Sequence, residues 1–187
     1  MSQTDPPEQL TRRLLGNTVS MAAPETWDQL DATALADITR TIALPADSAP
    51  DALDLVCAGP SGVPGFADNC VVTAVSLPTT TSDAEWFQES SAQVLAAIPG
   101  VRPIDMAQWN GDHVTGLMRS GVYIMDNRSL TFTQWSWVQG PVFLDTGVRR
   151  GMTATFTTPT LTCGTSLPLF TEMADTLNVF ADPDTAP

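Results

Sequence analysis

His113 is the only histidine in the chain, and so the one side chain whose ordinary pKa makes it a ready base near neutral pH. A serine hydrolase built around it would need a nucleophile on a sharp strand-to-helix turn, and no Gly-x-Ser-x-Gly occurs. Asp145 in "FLDTGV", Phe143 to Val148, is the second candidate, because two apolar residues followed by Asp-Thr-Gly have the form of an aspartic-protease loop. That chemistry needs two carboxylates sharing one proton, from two lobes or a dimer. The sequence has no second lobe, and Asp-Thr-Gly is also ordinary turn chemistry between strands. A hydrolase using His113 or Asp145 therefore ranks behind the binding roles developed below.

Cys57, Cys70 and Cys163 form no Cys-x-x-Cys pair. Their scattered spacing, with a single histidine, gives no zinc pattern. Cys57 and Cys70 flank a Gly- and Pro-rich loop. Antiparallel pairing of the two flanking strands would set them opposite each other, where a disulfide is geometrically possible. In a reducing compartment two small buried thiols are the alternative. The chain contains no lysine, which removes Schiff-base chemistry and the lysine of a phosphate-binding loop. No cofactor motif is present. Asn127-Arg128-Ser129 matches a glycosylation sequon, a pattern that Asn- and Ser-rich turns also produce by chance.

A formal charge of −13 over 187 residues leaves no basic stripe to displace counterions from phosphate, which argues against nucleic acid and against anionic membrane surfaces. The opening "MSQTDPPEQLTRRLLGN" has no apolar h-region. No run approaches the ~18 apolar residues that would span a bilayer. The expectation is a cytoplasmic protein without membrane insertion.

The tryptophans raise a different question. "SLTFTQWSWVQG", Ser129 to Gly140, alternates like a strand. Leu130, Phe132 and Val138 point one way, and Trp135 and Trp137 point the other, beside Thr131 and Thr133. The two tryptophans either pack under a covering layer or line a partly open groove where they anchor a partner. Trp109, His113, Trp135 and Trp137 are the candidate binding residues.

The elements that must position them follow from local signals. Asp5 to Leu15 reads as a short helix, with prolines in its first turn and Gly16 closing it. "TVSMAAPETW" reads as a strand entering a Pro-containing turn, and Asp37 to Leu44 and Ala52 to Cys57 as short β runs. "GPSGVPGFADN" is a loop, and "CVVTAVSLP" a strand. Ser82 to Ile98 is a helix, since Ser82 and Glu85 stand at capping-box spacing and Pro99-Gly100 ends the run. Asn110-Gly111 suits a type I′ turn. A two-residue loop there pairs Trp109 with Asp112, Gln108 with His113, and Ile104 with Leu117. Asp126-Asn127 makes the next turn, "GMTATFTT" is a further strand, and Leu167 to Asn178 a last helix. Thr165 or Ser166 would cap it, Pro168 would sit in its first turn, and Phe170, Met173, Ala174 and Leu177 would face inward. The order implies one α+β domain over residues 1–187 with a mostly antiparallel sheet, residues 1–4 and 181–187 being frayed.

From Asn69 onward the pattern resembles the PsbP-like fold, shared by PsbP, the Ran-release factor of nuclear import and actinobacterial lipoproteins of the LpqN type. The matching stretches are "FADNCVVTAVSL" with the capped helix after it, "WNGDHVTGLMRSGVY", "SLTFTQW", "MTATFTT" and "LFTEMADTLNVF". "VSMAAPETW" is similar to the opening strand and Pro-x-x-Trp turn of those domains. Two departures stand out: no lipidated cysteine and signal peptide, and a longer "VQGPVFLDTGVRRG" connection. The resemblance implies a central antiparallel sheet with helices on both faces. It also implies action by binding proteins or by assisting assembly and envelope processes, with no shared catalytic residue. The expectation is thus a non-enzymatic accessory module binding a protein partner, or, as the alternative, an apolar small molecule or lipid.

Overall fold

Alternation of apolar and polar residues builds most of this molecule into strands, and a computed structural model describes residues 9–31, 53–140 and 149–180. In chain order these are β1 (Leu10–Leu15), β2 (Val19–Pro24), β3 (Asp28–Gln29), β4 (Leu53–Pro60), β5 (Ala67–Leu77), α1 (Asp83–Ala97), β6 (Arg102–Asn110), β7 (Thr115–Met125), β8 (Arg128–Gln139), β9 (Arg149–Pro159), α2 (Cys163–Asp175) and β10 (Asn178–Val179). A seven-stranded sheet runs β3-β4-β5-β9-β8-β7-β6, and a three-stranded sheet runs β1-β2-β10. Every pairing among the described strands is antiparallel. The molecule is α+β, dominated by antiparallel sheet.

Successive side chains of a strand point to opposite faces, and β8 divides its residues accordingly. Trp135 and Trp137 join the larger cluster, with Met152, Ala154 and Phe156 of β9 and Phe170, Met173 and Ala174 of α2. Leu130 and Phe132 join Tyr123 in a smaller cluster, onto which Val94 and Ile98 from the end of α1 pack. Gly151 of β9 lets α1 approach closely: a Cβ there would stand 2.5 Å from the Trp86 ring.

The capping box holds as the spacing predicts. Ser82 Oγ accepts from the Glu85 N–H at 3.3 Å, and Glu85 Oε2 accepts from the Ser82 N–H at 2.7 Å. The helix ends before Pro99 and Gly100, the latter at φ 74°. Asp126 and Asn127 turn the chain between β7 and β8 at φ 48° and 61°, as a type I′ turn requires.

Three local expectations need correction. Leu10–Leu15 is a strand and not the end of a helix, because β2 supplies its hydrogen-bond partner across a tight turn where Gly16 N–H donates to Val19 O at 2.7 Å. Tertiary pairing overrides the local signal. The β6–β7 hairpin forms, but Asn110 pairs with Thr115 and Gln108 with Leu117. Its loop is Gly111 to Val114, closed by Gly111 N–H to Val114 O at 2.9 Å. The last helix starts at Cys163 after Thr162, and Pro168 lies inside it. Ser166 does not cap it, since its hydroxyl is spent on Asp68 Oδ2 at 2.6 Å. The Asp37–Leu44 run and residues 1–4 and 181–187 lie outside the described residues.

Candidate binding cleft

The structure brings three of the four sequence candidates together, as packing. Trp109, Trp135 and Trp137 are all buried in the larger cluster. Trp109 meets Trp137 edge-on with ring centroids 6.3 Å apart, and Trp135 meets Phe156 edge-on at 5.3 Å. Trp109 Nε1 also donates to Asp175 Oδ1 at 2.9 Å, fastening the hairpin to the last residue of α2. Buried on all sides, these rings present no face to a ligand.

His113 stands apart, in a shallow groove of about 340 Å³ with Arg12, Arg13, Ser20 and Thr176. Arg12 is engaged by Asp28 and by the Trp27 carbonyl, both at 2.8 Å, and Arg13 donates to Ser20 Oγ at 2.8 Å. No carboxylate or nucleophile is hydrogen-bonded to His113 among the described residues. Asp145, the other hydrolytic candidate, lies outside them. Among the described residues no group of three His, Cys, Asp or Glu is placed to hold a metal ion. No helix there is long and apolar enough to cross a membrane.

Cys57 and Cys70 face each other across β4 and β5, as antiparallel pairing of their strands predicts, and both are free thiols with no solvent exposure. Burial, followed by the neighbouring Cys57, pushes the Cys70 thiol well above its ordinary pKa. A second buried polar group sits near the start of α2. Asp68 accepts from Ser166 through Oδ2, while its Oδ1 and Asn69 Oδ1 have no hydrogen-bond partner. Burial raises the Asp68 pKa, against the lowering effect of the Ser166 and Thr158 hydroxyls.

The feature that sequence reasoning missed is a cleft at the outer end of the seven-stranded sheet. It has a volume of about 340 Å³, lies between the second half of α1 and strands β6 and β7, and is lined chiefly by Val94, Leu95, Val101, Ile104, Met106 and Phe132. Three of its apolar residues reach solvent: Leu95 at 54%, Ile104 at 63% and Met106 at 57% exposure. Strand β6 is the last in the sheet, and its ladder with β7 is interrupted between Pro103 and Asp105. Gly121 keeps the floor low, because a Cβ there would meet the Phe132 ring at 2.8 Å.

One cation lies in this apolar wall. Arg119, only 5% exposed, extends from β7 toward α1. Its Nε donates to Gln134 Oε1 at 2.7 Å, and its Nη1 donates to Ser90 Oγ at 2.9 Å and Ser91 Oγ at 2.8 Å. Nη2 donates to no described residue, and none of the described carboxylates forms an ion pair with Arg119. Burial pulls its pKa down to about 10, which leaves it charged at neutral pH. Two sequence signals could have located it: an arginine in the inward row Arg119, Gly121, Tyr123, and a Ser-Ser pair within an otherwise amphipathic helix.

No family model matches the sequence, and no curated protein matches it either. Likeness appears in three dimensions. LpqN of Mycobacterium tuberculosis, a protein involved in cell envelope biogenesis, superposes with a TM-score of 0.63 at 13% identity, covering 88% of this chain and 85% of that one. PA94 of Pseudomonas aeruginosa, a protein of unknown function, gives a TM-score of 0.56 at 13% identity over 71% of this chain and 86% of its own. Cyanobacterial PsbP from Synechocystis gives 0.51 at 13% identity, over 87% and 86%. At such identities the likeness speaks for the fold alone, and that fold is the PsbP-like one.

Proposed function

We propose that this protein is a non-catalytic binding module whose ligand places an apolar part in the cleft between α1 and the β6–β7 end of the sheet. The observation that carries this is the cleft itself: about 340 Å³ of space walled by aliphatic side chains and Phe132. That volume falls within the ~300–1,000 Å³ typical of small-molecule sites. Exposed apolar residues clustered around one opening are the usual mark of a binding surface. A sheet covered on each face by one helix is part of the same reading, supported by the division of β8 residues between the α1 and α2 clusters. The fold shared with an envelope-biogenesis protein is compatible with an accessory role. A protein partner would use the same opening, through Leu95, Ile104 and Met106.

Titration with the neutral solvatochromic dye Nile red tests this. Saturable fluorescence enhancement at one site is expected, weakened at least about tenfold by Leu95→Glu or Met106→Glu, exposed positions where a charge leaves the fold intact. Absence of saturable binding, or binding indifferent to both substitutions, removes the cleft as the site.

A further inference from the structure

We infer that the occupant of this cleft is an amphipathic anion, an aliphatic chain ending in a carboxylate that meets the free Nη2 of Arg119. The inference rests on the binding reading above and names the class of ligand for the same site.

The argument begins with an unbalanced charge. A guanidinium this deeply buried is ordinarily paired, because removing a charge from water costs several kcal/mol unless a counter-charge and hydrogen bonds replace the water. Arg119 has the hydrogen bonds without the counter-charge. Gln134, Ser90 and Ser91 are neutral acceptors that use up Nε and Nη1. They fix the guanidinium rigidly, as a preorganised site requires. The remaining nitrogen, Nη2, belongs to a residue that lines the cleft.

Asp105 is the one acidic residue lining the cleft, and it does not answer the charge. In the β6–β7 ladder Asp105 pairs with Ser120, whereas Arg119 lies opposite Met106. Asp105 Oδ1 accepts from the Met106 N–H at 2.8 Å, and its carboxylate makes no ion pair with Arg119.

The chemistry of the walls narrows the class. A cation is repelled at the floor, and a neutral hydrocarbon leaves the guanidinium unpaired. A phosphate ester carries more acceptor oxygens than the available donors satisfy. A single carboxylate can accept from Nη2 through a charge-assisted hydrogen bond roughly twice as strong as a neutral one. The chain then runs past Phe132, Val94 and Val101 toward Leu95, Ile104 and Met106 at the opening. Attraction here is local, since the chain as a whole carries −13 and repels anions at a distance.

Calorimetric titration of the intact protein with decanoate, decanol and decyltrimethylammonium at neutral pH separates the possibilities. Decanoate is expected to bind about tenfold or more tighter than decanol, and decyltrimethylammonium weakest. Arg119→Met should erase the preference for decanoate over decanol while decanol still binds. Gln134→Glu, which keeps Arg119 and gives it a counter-charge from within, should erase it too, and so decides the matter if Arg119→Met does not fold. Equal binding of decanoate and decanol to the unaltered protein overturns the anion inference and leaves the apolar cleft standing. A decanoate preference that survives either folded variant overturns the assignment to Arg119. Binding of none of the three removes both this inference and the cleft reading.

Discussion

Gln134 Oε1 lies 2.7 Å from Arg119 Nε, and the same amide turns its Nε2 to Thr155 Oγ1 at 2.9 Å. One neutral side chain on β8 thus ties the buried cation of β7 to the hydroxyl row of β9. Removing the acceptor strands a charged donor, which costs more than an ordinary hydrogen bond. Gln134→Leu, close in volume, should lower stability by about 1–3 kcal/mol. Urea unfolding measures it, and a loss within error of zero means that Arg119 finds another acceptor.

All five tryptophans are buried. Native emission should therefore be that of an apolar environment, and acrylamide should quench it poorly until the chain unfolds. Trp137→Ala removes a ring packed against Trp109, and should cost about 3–5 kcal/mol. A lower urea midpoint at unchanged slope is the expected signature.

Of the three thiols, Cys57 and Cys70 are sealed between strands, and only Cys163 at the start of α2 is partly exposed. A buried thiol with a raised pKa is a poor nucleophile. Ellman's reagent should titrate one thiol per native chain, and Cys163→Ser should abolish that reaction. The other two should appear in denaturant. Fast reaction of more than one native thiol contradicts the packing of β4 on β5.

Asp68 makes stability depend on pH. Its folded-state pKa lies above the ordinary 3.8 because burial disfavours the carboxylate, so the folded form takes up the proton first as pH falls. The protonated form's stabilisation is complete below the unfolded value and is lost as pH rises through the folded one. The Asp68 contribution should therefore raise the melting temperature as the pH falls through its folded-state pKa toward 3.8. Relief of the general acidic repulsion adds to that rise. Asp68→Asn isolates the local part: its melting temperature should climb less than that of the unaltered chain, by differential scanning calorimetry.

Signals confined to one element were legible in the sequence, and signals that depend on two elements were not. Ser82 and Glu85 announce their helix because the capping box closes within four residues, and Asp126-Asn127 announces its turn for the same reason. Cys57 opposite Cys70 follows from one loop and the alternation on either side. The Asn110-Gly111 pair identified its hairpin but misplaced the register, because the loop closes through Val114 and Asp112 N–H is bound to Asp175 O of α2. Nothing near Leu10 reveals that β2 will pair with it. The apolar character of β8 was visible, but whether its tryptophans face a groove or a core is decided by α2. Arg119 was overlooked because its burial comes from Ser90 and Ser91 on a helix that the local strand pattern cannot contain.

The placement of β5 beside β9 constrains how this chain reaches its native state. Strands β6, β7 and β8 can close one after another through tight turns, each searching little of conformational space. The centre of the sheet cannot: Cys70 pairs with Phe156, and α1 together with the whole outer meander lies between them in the chain. That contact closes a long loop, whose entropy grows slowly with length but must be met before the central packing compensates it. Proteins dominated by such distant pairings fold slowly. The hairpins carrying the cleft join residues close in the chain, whereas the β5–β9 seam of the tryptophan-rich core, like the β2–β10 pairing, joins residues far apart in it.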